Sequence, residues 1–268
     1  MFECTDGARI AVRRVGEGTC TLVLLHGWAM SSAYWNGQIE QLSKHYHVIA
    51  PDFRAHGASP PVDYGHRVAR YAKDVQELIC AFANGHPTWL IGWSMGASVA
   101  MSFLDLFPKH PLRGVVFVDQ TPKNLNDEGW NGGVFDMRRE DIAGQIKEIK
   151  RDFPGFLRQF VPAMFEQPLT PQQLEKYIYE SRQIDVNSAV EILVDHCNQD
   201  WRDVIRNLRV PVLAVAGDRY CTLTGMRAMP EMSARVRLEV FKDTKHCPFI
   251  EHSERFEKLI HQFIKMTV

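Results

Sequence analysis

Thr88-Trp89-Leu90-Ile91-Gly92-Trp93-Ser94-Met95-Gly96-Ala97-Ser98 reads as strand, tight turn and helix. Thr88–Ile91 is a short apolar run of the kind a buried strand presents. Ser98–Phe107 resumes with helical patterning until Pro108 ends it. Between them, Gly92-Trp93-Ser94-Met95-Gly96 fits G-x-S-x-G. Its small residues let two backbone segments approach closely while the central serine is held in a strained conformation. The serine hydroxyl is thereby presented above the sheet.

On either side of this segment, strand-like and helix-like stretches alternate, which predicts an α/β chain with a mainly parallel sheet flanked by helices. Strands are expected at Ala8–Val15, Thr21–Leu25, Tyr46–Ala50, Leu112–Val118, Val210–Ala216 and Arg237–Phe241. A helix over Arg67–Ala83 carries Val68, Tyr71, Val75, Leu78, Ile79 and Phe82 at helical spacing and is stopped by Asn84-Gly85. Another, at the C-terminus, carries Phe256, Leu259, Ile260 and Phe263. Between Lys123 and Arg206 strand signals vanish, and Gly129–Gly133, Pro154, Pro162, Pro168 and Pro171 divide a helix-rich stretch. Its segments are short and need a partner surface for their apolar residues, so it reads as a lid inserted into one domain rather than a separate domain. The expected organisation is core 1–122, helical lid 123–206 and core 207–268.

At 268 residues and 45% hydrophobic content, the chain can bury a substantial core. Its 31 basic and 32 acidic residues leave a formal charge of -1, so no overall field attracts nucleic acid or an anionic membrane. Met1–Ile10 carries Glu3 and Asp6 without the basic-then-apolar order of a secretory signal, and no apolar run is long enough to span a bilayer. Cys4, Cys20, Cys80, Cys197, Cys221 and Cys247 are scattered without a CxxC pair, the pattern of reduced thiols in a cytoplasmic protein. With no G-x-G-x-x-G, P-loop, HExxH or convincing zinc spacing, neither cofactor nor metal is expected.

Four motifs taken together resemble the α/β-hydrolase family, particularly its lid-bearing esterases, lactonases and cofactor-free perhydrolases. Besides the serine turn they are Leu24-Leu25-His26-Gly27-Trp28, Pro51-Asp52-Phe53-Arg54-Ala55-His56-Gly57-Ala58-Ser59 and Lys245-His246-Cys247-Pro248-Phe249-Ile250-Glu251, in the family's order along Ala8–Phe263. Ala55 replaces a glycine usual in its motif. The resemblance implies Ser94 as nucleophile and His246, between the last strand and last helix, as its base. It also implies that the backbone N–H groups of Trp28 and Met95 form the oxyanion hole. A serine hydroxyl needs an imidazole to take its proton, and the oxyanion formed on attack needs fixed donors. His26 and His56, inside loop motifs, are expected to be structural.

The acid that steadies the imidazolium is less plainly marked. The family commonly places it three residues after the glycine of Gly217-Asp218-Arg219-Tyr220, and that position holds Tyr220, whose phenol cannot readily supply the negative charge. Some relatives take the acid from the end of the strand corresponding to Val115–Val118, which points to Asp119, with Asp218 the competitor. Asp52 reads as a loop organiser and Asp74 as an exposed helix charge.

The function expected is hydrolysis of a small-molecule carboxylic ester, thioester or lactone through an acyl-enzyme. Peracid formation or carbon–carbon bond hydrolysis on the same triad, and a hydrolase-like small-molecule receptor, are the alternatives. Trp130, Phe135, Phe153, Phe156, Phe160, Met164 and Phe165 offer apolar lid surface either to a cleft or to the core. Of these Phe156 and Phe160, with Trp28, are the expected substrate contacts.

Overall fold

Apolar runs that alternate between two faces can be buried only if both faces are covered, and the computed structural model, which describes Met1–Val268, shows how. A small hairpin of β1 (Phe2–Glu3) and β2 (Arg9–Ile10) precedes seven strands in one sheet: β3 (Val12–Val15), β4 (Thr21–Leu25), β5 (His47–Pro51), β6 (Thr88–Trp93), β7 (Leu112–Val118), β8 (Val212–Gly217) and β9 (Val236–Phe241). Their spatial order is β3-β5-β4-β6-β7-β8-β9, with β3 antiparallel to β5 and every other pair parallel. Leu22 and Leu24 join the hydrophobic cluster on one face, Val23 and Leu25 that on the other, as the two-residue period of a strand requires. Helices α2 (Val68–Phe82) and α3 (Met95–Leu106) cover one face; α1 (Asn36–Leu42) and the C-terminal α11 (Ser253–Thr267) cover the other.

Between β7 and β8 the chain forms α4 (Ile142–Arg151), α5 (Phe153–Ala163), α6 (Pro171–Ser181), α7 (Val186–Cys197) and α8 (Arg202–Arg206). The starts of three are written locally. Asp152 accepts from Gly155 N, Thr170 and Gln173 form a reciprocal capping box, and Asp185 accepts from the amides of Asn187 and Ser188. Pro154 and Pro171 sit in first turns, where a missing N–H costs nothing. After β8 come α9 (Leu223–Met232) and the short α10 (Pro248–Glu251).

Three expectations are corrected. Ala8–Val15 is not one strand: at Ala11 the pairing passes from β1 to β5, while Ala11 N donates to Ser59 Oγ and its carbonyl accepts from Asp52 N. The helix after the serine turn begins at Met95 rather than Ser98. Asp74 is not an exposed charge. It is 2% exposed and receives both Arg54, at 2.8 Å, and Arg70, at 2.6 Å. A buried carboxylate needs such compensation, and fully buried Arg54 also reaches Asp6, tying the N-terminal hairpin to α2.

Candidate active site

The carboxyl ends of the parallel strands carry the chemistry-bearing residues. Ser94 follows β6 with φ 54° and ψ -127°, and its amide donates to Val118 O at 2.9 Å. Such a backbone costs of order 1–3 kcal/mol and persists where its surroundings leave no alternative. They leave none here, since a Cβ on Gly92 would come within 2.3 Å of Gly96 O and one on Gly96 within 2.3 Å of Leu25 O. The loop after β4 lies against the same serine: a Cβ on Gly27 would be 3.3 Å from Ser94 Cβ. Trp28 and Met95, the two residues whose amides are expected to face an oxyanion, thus flank Ser94 on adjacent segments.

Asp119 follows β7, wholly buried and at φ 50°. Its Oδ2 lies 2.6 Å from His246 Nδ1 and its Oδ1 accepts from Gly217 N at 2.9 Å. Both oxygens are therefore engaged, and the bond to Nδ1 directs the other imidazole nitrogen away from the acid. Asp218 makes no hydrogen bond or ion pair with His246; its carboxylate faces Thr244 N and Arg219 near the surface. His246 is held on further sides. Tyr220 stacks on its ring at 4.4 Å between centroids, and Trp93 donates its indole N–H to the His246 carbonyl at 2.8 Å. Burial pushes the Tyr220 phenol well above its usual range, so the ring beside the imidazole is uncharged.

Ser94 and His246 open into one cavity, together with Trp28, Phe135, Phe156 and Phe160. Trp28 packs edge-on against Phe156 at 6.0 Å and Phe160 at 5.8 Å, and donates its indole N–H to Ala189 O in α7 at 2.7 Å. The remaining aromatic and Met positions divide otherwise. Phe153, Met164 and Phe165 are buried in packing, and Trp130 donates to Lys123 O beneath the Arg202 guanidinium, away from the cavity. Of the two alternatives the sequence leaves open, these four take the core, because the insertion needs apolar residues to seat itself there.

His26 and His56 are structural hydrogen-bonding groups. His26 Nδ1–H donates to Gly27 O and Nε2 accepts from Phe53 N, which joins the two loop motifs; burial holds its pKa down to about 4. His56 donates to Arg54 O, and burial takes its pKa to about 3. Asp52 does organise its loop, accepting from Ser32 N and Ala58 N. Cys4, Asp6 and Asp74 approach one another closely enough to suggest metal ligation. The two carboxylates are already bound to Arg54 and Arg70, and burial pushes the Cys4 thiol up to about 12, whereas a metal ligand must be thiolate.

A model of the alpha/beta hydrolase family matches residues 22–259. The chain belongs to that family. Pimeloyl-[acyl-carrier protein] methyl ester esterase of Yersinia pseudotuberculosis serotype O:1b (strain IP 31758) is 28% identical to this hydrolase over 254 residues, covering 92% of this chain and 94% of the relative. The protein of the same name from Aliivibrio fischeri (strain ATCC 700601 / ES114) is 26% identical, with 93% and 95% covered. Among solved structures, the esterase EaEST from Exiguobacterium antarcticum superposes with a TM-score of 0.90 at 24% identity, covering 98% of each chain, which speaks to the fold alone. No helix of the hydrolase is long and apolar enough to cross a membrane.

Sequence reasoning misses several residues of the site. Gln120, Asn124, Gln145, His196 and Thr222 also line the cavity. They come from separate stretches with no local motif, and only the fold assembles them. In sequence Tyr220 is merely the wrong residue for an acid; its stacking on His246 has no sequence signal.

Proposed function

We propose that this hydrolase cleaves a small-molecule carboxylic ester through an acyl-enzyme, with Ser94 as nucleophile, His246 as general base and Asp119 as the triad acid. The observation that carries the reading is the 2.6 Å bond between His246 Nδ1 and buried Asp119, beside the strained Ser94 elbow on the same cavity. Ser94 Oγ attacks the ester carbonyl carbon as its proton passes to His246 Nε2. The carbonyl oxygen takes the negative charge and is met by the amides of Trp28 and Met95. Collapse expels the alcohol with the proton from Nε2, and a water activated by the same nitrogen then releases the acid and frees Ser94. Asp119 keeps the proton on Nδ1 and stabilises the imidazolium in both halves. The relatives named as methyl ester esterases support an ester over a peracid or carbon–carbon substrate. Residues 123–206 act as a lid whose Phe156 and Phe160, with Trp28, contact substrate. Six cysteines outside any disulfide fit a reducing cytoplasmic setting.

The test is intact-mass analysis after a fluorophosphonate probe, alongside kcat/KM on a panel of esters, thioesters and lactones. One adduct, absent in Ser94→Ala together with all turnover, is the expected result. Turnover retained in Ser94→Ala, or an adduct on another residue, defeats the assignment.

A further inference from the structure

One stretch of the cavity wall is polar and has no part in the chemistry above. Asn124 organises it. Its Oδ1 accepts from Gln120 Nε2 at 2.6 Å, so its amide nitrogen is the donor, and that nitrogen reaches both the His196 carbonyl and His196 Nε2 at 3.1 Å. His196 Nε2 is therefore an acceptor and the ring proton sits on Nδ1. Burial, with His246 nearby, holds the His196 pKa down to about 4, so the ring is neutral at neutral pH. Yet Nδ1–H has no hydrogen-bond partner in the protein, although His196 is only 7% exposed. Thr222 Oγ1, on a residue 1% exposed, and Gln145 Oε1 are likewise buried and unpartnered, and all three residues line the cavity that holds Ser94.

The set consists of one donor, one acceptor and one hydroxyl able to do either. Each is buried without a protein partner, and a ligand that pairs with it gains a hydrogen bond the protein does not supply. Charge selects the ligand class, because no Asp, Glu, Lys or Arg lines the cavity. A carboxylate, phosphate or ammonium would be buried there without a counter-charge. A plain alkyl chain would leave all three atoms as they are. A neutral hydroxyl supplies what the set lacks, an acceptor for His196 Nδ1–H and a donor for Gln145 Oε1 or Thr222 Oγ1.

We propose that His196, Gln145 and Thr222 form a hydroxyl-recognising subsite, and that the ester presented to Ser94 carries a neutral hydroxyl group. The ester half of this statement rests on the serine-esterase reading; the hydroxyl contact does not. Calorimetric binding to Ser94→Ala therefore tests it apart from the chemistry. The ligands are hydroxyacyl methyl esters and hydroxyalkyl acetates, each paired with its deoxy parent, so that the two series tell an acyl-side hydroxyl from an alcohol-side one. At least one hydroxylated ligand should bind about tenfold tighter than its parent, as a site built around a substrate hydroxyl discriminates against the analogue lacking it. That preference should fall below about twofold when the near-isosteric Thr222→Val or Gln145→Met is added, with binding of the deoxy parent kept. Equal binding in every pair, or a preference that survives both substitutions, overturns the subsite. A hydroxyl preference seen in binding while wild-type protein turns over no ester supports the subsite and counts against the esterase reading alone.

Discussion

Asp119 and Asp218 stand at the ends of neighbouring strands, but their surroundings give them different tasks. Asp119 spends one oxygen on His246 and the other on the Gly217 amide inside the protein, whereas Asp218 is partly solvated beside Arg219. Asp119→Asn keeps the shape and removes the charge that, in the proposed mechanism, stabilises the imidazolium. Its kcat on a simple ester should fall by as much as about four orders of magnitude, the scale of the same substitution in a serine-protease triad. Asp218→Asn should stay within a few-fold of wild type. Both kcat and thermal unfolding are measured on the same preparations; an inactive but folded Asp218→Asn beside an active Asp119→Asn would move the acid to Asp218. Tyr220 shows how a residue can be legible in sequence and still incomplete until seen in space. Its type rules out the acid's role, but only the fold reveals that its ring lies flat on His246.

At the scale of elements, α5 brings Phe156 and Phe160 over Trp28, the two phenylalanine rings stacked at 5.7 Å. If they touch substrate, Phe156→Ser should lower kcat/KM for long acyl esters about tenfold more than for a small activated acetate. Equal losses on both, in step with a lower Tm, would mean that the pair only packs the insertion down. The strands and the two long helices are legible because their apolar periods match the faces they bury, and the order of motifs puts Ser94 and His246 at one edge of the sheet, whereas Asp119 lies in no motif and is read only from the end of its strand. Element ends are less so. The helix starts at Met95 because the strained serine is itself its N-terminal flank, a start that Gly96, unfavourable inside a helix, conceals in the sequence. The burial of Asp74 escapes a sequence reading because its principal partner, Arg54, is distant along the chain; the i,i+4 spacing to Arg70 is the one local sign.

For the whole molecule, buried neutral histidines make stability depend on pH. His26, His56 and His196 have pKa values pushed by burial from 6.5 to about 4, 3 and 4, and burial also lowers those of His47, His110 and His261. Between the unfolded and folded values the unfolded chain binds the extra protons. Stability is therefore fully present above about pH 6.5 and is lost as pH falls toward 4, by up to about 1.4 kcal/mol per pH unit for each of the fully buried His26, His56 and His196. Glu257, raised by burial, opposes this in part near its own range. Urea midpoints should drop between pH 7 and 5, and His56→Asn, which can keep the donor to Arg54 O, should shallow the slope by about one proton; a flat profile would contradict the account. The indole of Trp28, bonded to Ala189 O, has a consequence of its own. The residue proposed to aim an amide at the oxyanion is moored to α7, whose Leu193, His196 and Cys197 line the cavity. If residues 123–206 lift as the proposed lid to admit a molecule, the same movement slackens that aim, so admission and reaction take turns like the two doors of an airlock.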